Sequence, residues 1–277
     1  MSEGPKGIGG PSPQAVLGAV SFLNTKPLVA GLQQDEGIRL DYAVPSVLGD
    51  WLLSGQVDAA LVPVVGLAAP QAIEPVSDAC IASDGETLTV RVFSRVPPSR
   101  VRRLQVDGDS RTSVVLAKVL WHEMFGHIAE TMPLAPHAAP ANEEGVLLIG
   151  DKVITLRPRG FAFEMDLGAA WRELTGLPFV YAVWAKLAGT RVDDLAERLS
   201  ASRDLGVSRS AQIADVEGPA AGWPVEIARR YLTEYMDYRL TDRHRNGMAL
   251  FLKTATELGL LGSADDRQTE DAPARRA

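Results

Sequence analysis

Four short polar segments carry side chains suited to holding a small anion and moving a proton beside it: Asn24-Thr25, Ser83-Asp84-Gly85, Ser110-Arg111-Thr112-Ser113 and Gly150-Asp151. Each lies close behind an apolar run, and open α/β sheets bind their ligands beyond the carboxyl ends of the strands. Hydroxyl and amide side chains are common in loops as helix caps, so no segment is specific alone. The third is the richest. It brings hydroxyls, the Arg111 guanidinium and backbone N–H groups to a helix N-terminus, where the helix dipole favours an anion. A guanidinium suits a carboxylate because it can bind both oxygens at once. The competing reading is a plain N-cap with Arg111 in a surface ion pair. No Gly-Lys-Ser/Thr run accompanies the segment, so it is not a Walker loop.

Other catalytic templates fail on spacing. His122-Glu123 and His127 imitate a zinc-protease helix, but the second histidine falls five residues after the first, where a shared face needs four. They read as helix-surface residues. His137 and His244 have no neighbouring Cys or His, which argues against a metal. A Gly-x-Ser-x-Gly elbow is absent. Trp171, Phe179, Tyr181 and Trp184 offer faces for stacking on a ring, although core packing accounts for such aromatics more often.

A chain of 277 residues that is 46% hydrophobic can bury one large core or two smaller ones, since domains run to about 100 to 200 residues. Its 28 Lys+Arg against 35 Asp+Glu leave a formal charge of −7, which repels phosphate backbones, so nucleic acid is not an expected partner. The single Cys80 supplies neither an internal disulfide nor a zinc or iron–sulfur ligand set. Lys6 and the apolar run 15–23 loosely imitate a secretory signal. The Gly/Pro-rich stretch 7–14 between them, and the want of a small-residue cleavage site, favour a buried strand instead. No run nears the ~20 apolar residues that cross a bilayer. A cytoplasmic protein without membrane contact is expected.

The elements that must position the four loops read as alternating strands and helices. Residues 1–14 and 263–277 are expected to be flexible termini. Strands are expected at 17–23, 40–44, 59–62, 88–94, 104–106, 146–149 and 179–187. Helices are expected from Pro27 to 32, from an N-cap at Ser46 through 54, and over 113–125. From 192 to 260 the spacing is helical almost throughout, with breaks near Gly206, Gly218 and Thr241. Such alternation implies mostly parallel sheets covered by helices.

Several segments follow one another in a familiar order: Ser21-Phe22-Leu23-Asn24-Thr25-Lys26-Pro27, Ser83-Asp84-Gly85, Ser110-Arg111-Thr112-Ser113-Val114, Leu148-Ile149-Gly150-Asp151-Lys152 and Thr175-Gly176-Leu177-Pro178-Phe179-Val180-Tyr181-Ala182-Val183-Trp184. In these motifs and their order the chain resembles the chorismate dehydratases of menaquinone biosynthesis by the futalosine route. The resemblance runs from about residue 18 to about 260. Only 138–146 departs from it, being shorter and richer in Ala and Pro.

The resemblance implies a two-lobed, periplasmic-binding-protein-like (type II) α/β fold with two crossing hinge strands, at 88–94 and 179–187. Lobe one would then comprise 15–90 plus 186–262, and lobe two 91–185. It implies dehydration of chorismate, a dianionic small molecule, to its enolpyruvyl benzoate, with no metal or redox cofactor. Asn24 would stand at the reacting centre. Arg111, Thr112 and Ser113 would hold one carboxylate and Ser83 with the Gly85 N–H would grip from the other lobe, while Thr25, Gly150 and Asp151 complete the substrate-binding set. The base would be Asp151, another carboxylate, or the substrate's own enolpyruvyl carboxylate; the want of a His or Glu in a triad-like setting favours the last. Rival readings are the dihydroxynaphthoate-forming enzyme of the same pathway and a non-catalytic binder of small anions on the same fold. An effector-binding domain of a transcription factor is disfavoured, as no helix-turn-helix segment precedes the first strand.

Overall fold

The apolar run Ala15–Ala19 is buried along nearly all its length and forms strand β1. It opens the first of two sheets in the computed structural model, which describes residues 14–68, 73–106, 110–134, 144–156 and 159–261. The tail expected at 263–277 and all but Gln14 of the leader expected at 1–14 lie outside the described residues, as does His137. Along the chain follow β2 (Ile38–Tyr42), helix α1 (Pro45–Leu53), β3 (Ala59–Pro63), β4 (Ile73–Ser83), β5 (Val90–Ser94), β6 (Arg103–Val106) and helix α2 (Arg111–Phe125). Next come β7 (Glu130–Pro133), β8 (Gly145–Ile149), α3 (Asp151–Leu156), β9 (Phe163–Asp166), α4 (Leu167–Thr175) and β10 (Phe179–Leu187). The chain ends in α5 (Leu195–Ser208), α6 (Ser210–Ala220), α7 (Val225–Arg230), β11 (Asp237–Arg239) and α8 (Asp242–Glu257).

The first sheet has the order β11-β4-β10-β3-β1-β2 and the second β7-β6-β8-β5-β9. β1 pairs in parallel with β2 and β3, while β10 runs antiparallel to both β3 and β4. In the second sheet β6 is parallel to β7 and β8, and β5 is antiparallel to β8 and β9. Strands covered on both faces read as unbroken apolar runs, and β8, Gly-Val-Leu-Leu-Ile, is buried at every position. The expected α/β class therefore takes the form of two mixed sheets. The chain changes sheet between Ser83 and Val90 and returns between Asp166 and Phe179. Of the two expected hinge strands, the one at 88–94 runs as β5 in the second sheet and the one at 179–187 as β10 in the first. The division into lobes at residues 90 and 185 remains our proposal.

Several element boundaries differ from the expected ones. The strand expected at 17–23 stops at Ala19, because the chain folds into a 3-10 helix, Leu23–Val29, which carries Pro27 inside it. The helix expected from a Ser46 cap starts at Pro45, whose fixed φ suits a first helical position, with Val44 as the capping residue. The breaks expected near Gly206 and Gly218 fall at Arg209 and after Ala220, the ends of α5 and α6, and Gly206 itself is a point of contact inside α5. A Cβ there would stand 1.9 Å from the Pro27 carbonyl oxygen, so only glycine lets α5 lie against the 3-10 helix. Gly218 likewise lies within α6. The helical region is interrupted by β11, whose three residues are too few to show a strand period.

Trp171, Phe179 and Trp184 are at most 1% exposed and Tyr181 is 9% exposed. Trp171, Phe179 and Phe251 meet edge-on, with ring centroids 4.9 to 6.0 Å apart, and so fasten α4, β10 and α8 together. The core reading of these aromatics holds.

Candidate active site

Asn24 does not end a strand; it is the second residue of the 3-10 helix Leu23–Val29, entered through a turn in which Thr25 N–H donates to the Phe22 carbonyl at 3.0 Å. Asn24 Nδ2 donates to Tyr231 Oη at 2.9 Å. Its Oδ1 is buried without a partner, as is the hydroxyl of Thr25. Buried polar groups are nearly always matched, so these two adjacent atoms leave room for a further donor and acceptor, from water or a ligand.

A run of hydroxyls leads away from Asn24. Tyr231 Oη and Thr89 Oγ1 are 2.9 Å apart, and Thr89 Oγ1 reaches the Thr87 carbonyl at 3.4 Å. The Tyr181 phenol lies 3.3 Å from Ser83 Oγ. The Ser83 hydroxyl turns back onto the Gly85 carbonyl at 3.2 Å. The bonds thus join Asn24, behind β1, to the 87–89 segment ahead of β5, and a separate pair ties Tyr181 to Ser83 at the end of β4. Burial pushes the Tyr181 and Tyr231 phenols far above their ordinary value, so both keep their protons near neutrality.

Asp151, the first residue of α3, accepts from Trp223 Nε1 at 2.8 Å, and Trp223 in turn stacks on Tyr231 with centroids 4.9 Å apart. Burial raises the Asp151 carboxyl and the indole N–H partly offsets this. Gly150 sits beside Phe22, whose ring lies 3.9 Å from where a Cβ would be. The second sheet's Gly150-Asp151 loop therefore meets residues that surround Asn24.

Ser110 caps α2, its Oγ accepting the Ser113 N–H at 3.2 Å and lying 3.0 Å from Ser113 Oγ. Ser113 is thus engaged within its own turn. Thr112 Oγ1 accepts a long, 3.5 Å bond from Val65 N–H, in the segment behind β3. Arg111 is exposed, and no carboxylate among the described residues pairs with it. No hydrogen bond between described residues links this loop to Asn24 or Asp151.

Asp166, missed by the sequence reading, caps α4 and binds Thr87 and Leu88 N–H at 3.0 and 2.8 Å. Burial raises its carboxyl against the pull of these N–H groups and of Arg91. Tyr231, Trp223, Thr89 and Tyr181 were also missed as site residues, because aromatic and hydroxyl groups inside apolar runs read as core. A cavity of about 250 Å³ at the ends of β1 and β2 is lined by Phe22, Tyr42, Val44 and Pro45, without Asn24 or Thr25 in its wall. A second, of about 430 Å³, touches none of the four loops. Among the described residues no His, Cys, Asp and Glu group could hold a metal ion. His122 pairs with Glu123, His127 bonds the Val101 carbonyl and His244 bonds Thr241. Nor is any helix among them long and apolar enough to cross a membrane.

Comparison with known proteins fits this arrangement. The chain is 30% identical to the chorismate dehydratase of Thermus thermophilus over 88% of its own length and 95% of that protein's. It is 24% identical to the chorismate dehydratase of Campylobacter jejuni subsp. jejuni, over 88% of its length and 99% of the relative's. Its fold is similar to that of the alkanesulfonate-binding protein SsuA from Xanthomonas axonopodis pv. citri bound to MOPS, with a TM-score of 0.67 at 11% identity, covering 92% of this chain and 96% of that one. The two-sheet architecture is thus of the periplasmic-binding-protein-like kind. Residues 15–257 match the family model described as menaquinone biosynthesis, and the chain belongs to that family.

Proposed function

We infer that this chain is a hydro-lyase that converts chorismate to 3-[(1-carboxyvinyl)oxy]benzoate and water, in the cytoplasm, as a step of menaquinone synthesis by the futalosine route. The observation that carries the reading is the family match over 15–257, which spans both sheets and all four loops. In the reaction the C–H bond at the ether-bearing ring carbon breaks, its electrons enter the ring, and the C–O bond to the neighbouring hydroxyl breaks. Water leaves and the ring becomes aromatic. The proton is acidified by conjugation to the ring carboxylate, so the protein's main task is to orient two carboxylates and one hydroxyl.

The exposed Arg111 guanidinium, together with the N-terminus of α2 that Thr112 and Ser113 help to build, is suited to one carboxylate. Ser83 and the Gly85 N–H approach from the end of β4, and Thr25 offers an unmatched hydroxyl beside Asn24. Gly150 and Asp151 close the site from the second sheet. Few of these groups can serve as the base. Tyr181 and Tyr231 hold their protons, Asp166 is occupied by backbone N–H groups, and Asp151 already accepts from Trp223. This supports the substrate's own enolpyruvyl carboxylate as the proton acceptor, with Asp151 as the competing candidate.

Purified protein incubated with chorismate and a chelator is expected to form the benzoate, seen as a new aromatic ultraviolet band and by mass spectrometry. Tight binding of chorismate without turnover would favour the anion-binder reading. Ring formation from a futalosine derivative instead would favour the later enzyme of the pathway.

A further inference from the structure

Tyr231 has no part in the roles assigned so far, yet it touches Asn24 more closely than any other described side chain. It begins a single π-helical turn, Tyr231–Tyr235, closed by a bond from Met236 N–H to its carbonyl at 3.2 Å. Such turns are rare and gather at functional sites, because the wider turn re-aims one side chain. Here the re-aimed phenol is 1% exposed. Its ring stacks on Trp223 and its Oη lies between Asn24, behind β1, and Thr89, ahead of β5.

The direction of these bonds follows from the donors available. Thr89 Oγ1 reaches the Thr87 carbonyl, which only accepts, so the Thr89 proton is used there. Asn24 Nδ2 donates to Tyr231 Oη, and the Tyr231 proton is then directed to Thr89 Oγ1, 2.9 Å away. That fixes Nδ2 toward the phenol and leaves Oδ1 as the buried, unmatched end.

We propose, on the dehydratase reading of the site, that Tyr231 is a positioning residue: its hydroxyl locks the Asn24 amide so that Oδ1 accepts a hydrogen bond from the ring hydroxyl that departs. With its own hydrogen held on Oδ1, the hydroxyl turns its oxygen lone pair to the proton that the enolpyruvyl carboxylate has taken from the ring carbon, so the C–O bond breaks with that proton transferred and the group leaves as water. A carboxylate of the substrate would be repelled by Oδ1, so the same lock also sets which way round the ring sits.

The test is a double-mutant cycle in the full chain. Tyr231→Phe keeps the ring and its stacking and removes only the hydroxyl. It is expected to lower kcat about 10- to 100-fold while KM changes less than about two-fold. In an Asn24→Ala background the same substitution should cost nothing further, because the residue it positions is gone. A Tyr231→Phe enzyme with near-wild-type kcat, or losses that multiply in the double variant, would overturn the proposal. Should Tyr231→Phe fail to fold by circular dichroism, Thr89→Val takes its place in the cycle, and Thr89→Ser, which restores the hydroxyl, should recover kcat. Absence of chorismate turnover by the unsubstituted protein would instead fell the dehydratase reading, and this inference with it.

Discussion

We propose that recognition of the dianionic substrate depends most on Arg111, because the chain carries a formal charge of −7 and needs a local cation to hold an anion. A guanidinium can bind both oxygens of a carboxylate at once. Substrate and transition state share the carboxylate, so the contact is made equally in both. Arg111→Ala should therefore raise KM about ten-fold or more and leave kcat nearly unchanged, as read from steady-state kinetics. An unchanged KM would make Arg111 a bystander on the surface of α2. At this scale the sequence showed the polar residues that sit beyond strand ends, Asn24, Ser83 and Asp151 among them. It hid Tyr231 and Trp223, whose aromatic rings fit the apolar spacing of a helical region and whose polar tips leave no trace in that spacing.

The element that holds the passage between the sheets is the N-terminus of α4. Asp166 Oδ1 accepts from Gly168 and Ala169 N–H at 3.0 and 3.1 Å, while the same carboxylate binds Thr87 and Leu88 N–H. Leu88 has φ +65°, a conformation that costs a non-glycine residue energy and needs outside support. Gly168 allows the close fit: a Cβ there would stand 2.5 Å from the Gly85 carbonyl and 2.9 Å from Ser83 Oγ. Asp166→Ala removes a cap and strands several buried donors, so unfolding free energy in urea should fall by about 2–4 kcal/mol, with Asp166→Asn losing less. A loss below the ~1 kcal/mol of an ordinary cap would mean that the 87–88 segment is held by other contacts. The mostly buried apolar strands β3, β8 and β10 were legible to within a residue or so at either end, whereas β4, the longest strand, was not, its first half being only partly buried and mixed in residue type. The four-residue β7 and β9 were not, because so short a run has no period to read.

At the scale of the whole molecule, segments of the two sheets meet around the proposed site. Asn24, Trp223 and Tyr231 belong to segments packed around the first sheet, whereas Thr89, Gly150 and Asp151 flank strands of the second. Chemistry that must exclude water needs the two sides of such a site held together. The bond from Trp223 Nε1 to Asp151 joins the two sides, and the Trp223 ring also supports Tyr231. Trp223→Phe keeps a ring for the stack and removes the donor. A hydrogen bond to a charged but partly solvated carboxylate contributes about 1 kcal/mol, so the closed arrangement should lose roughly five-fold in population relative to an open one. Two measurements should then move together. The radius of gyration from small-angle scattering should rise without ligand and return to the wild-type value at saturating chorismate, and kcat/KM should fall by a similar amount, roughly five-fold, because binding must first make good the lost closure. Asp151→Asn, which still accepts from the indole, should change both less. If the Trp223→Phe protein scatters and turns over as the wild type does, the contact is incidental to closure and the two lobes are held by the passages at 84–89 and 167–178 alone.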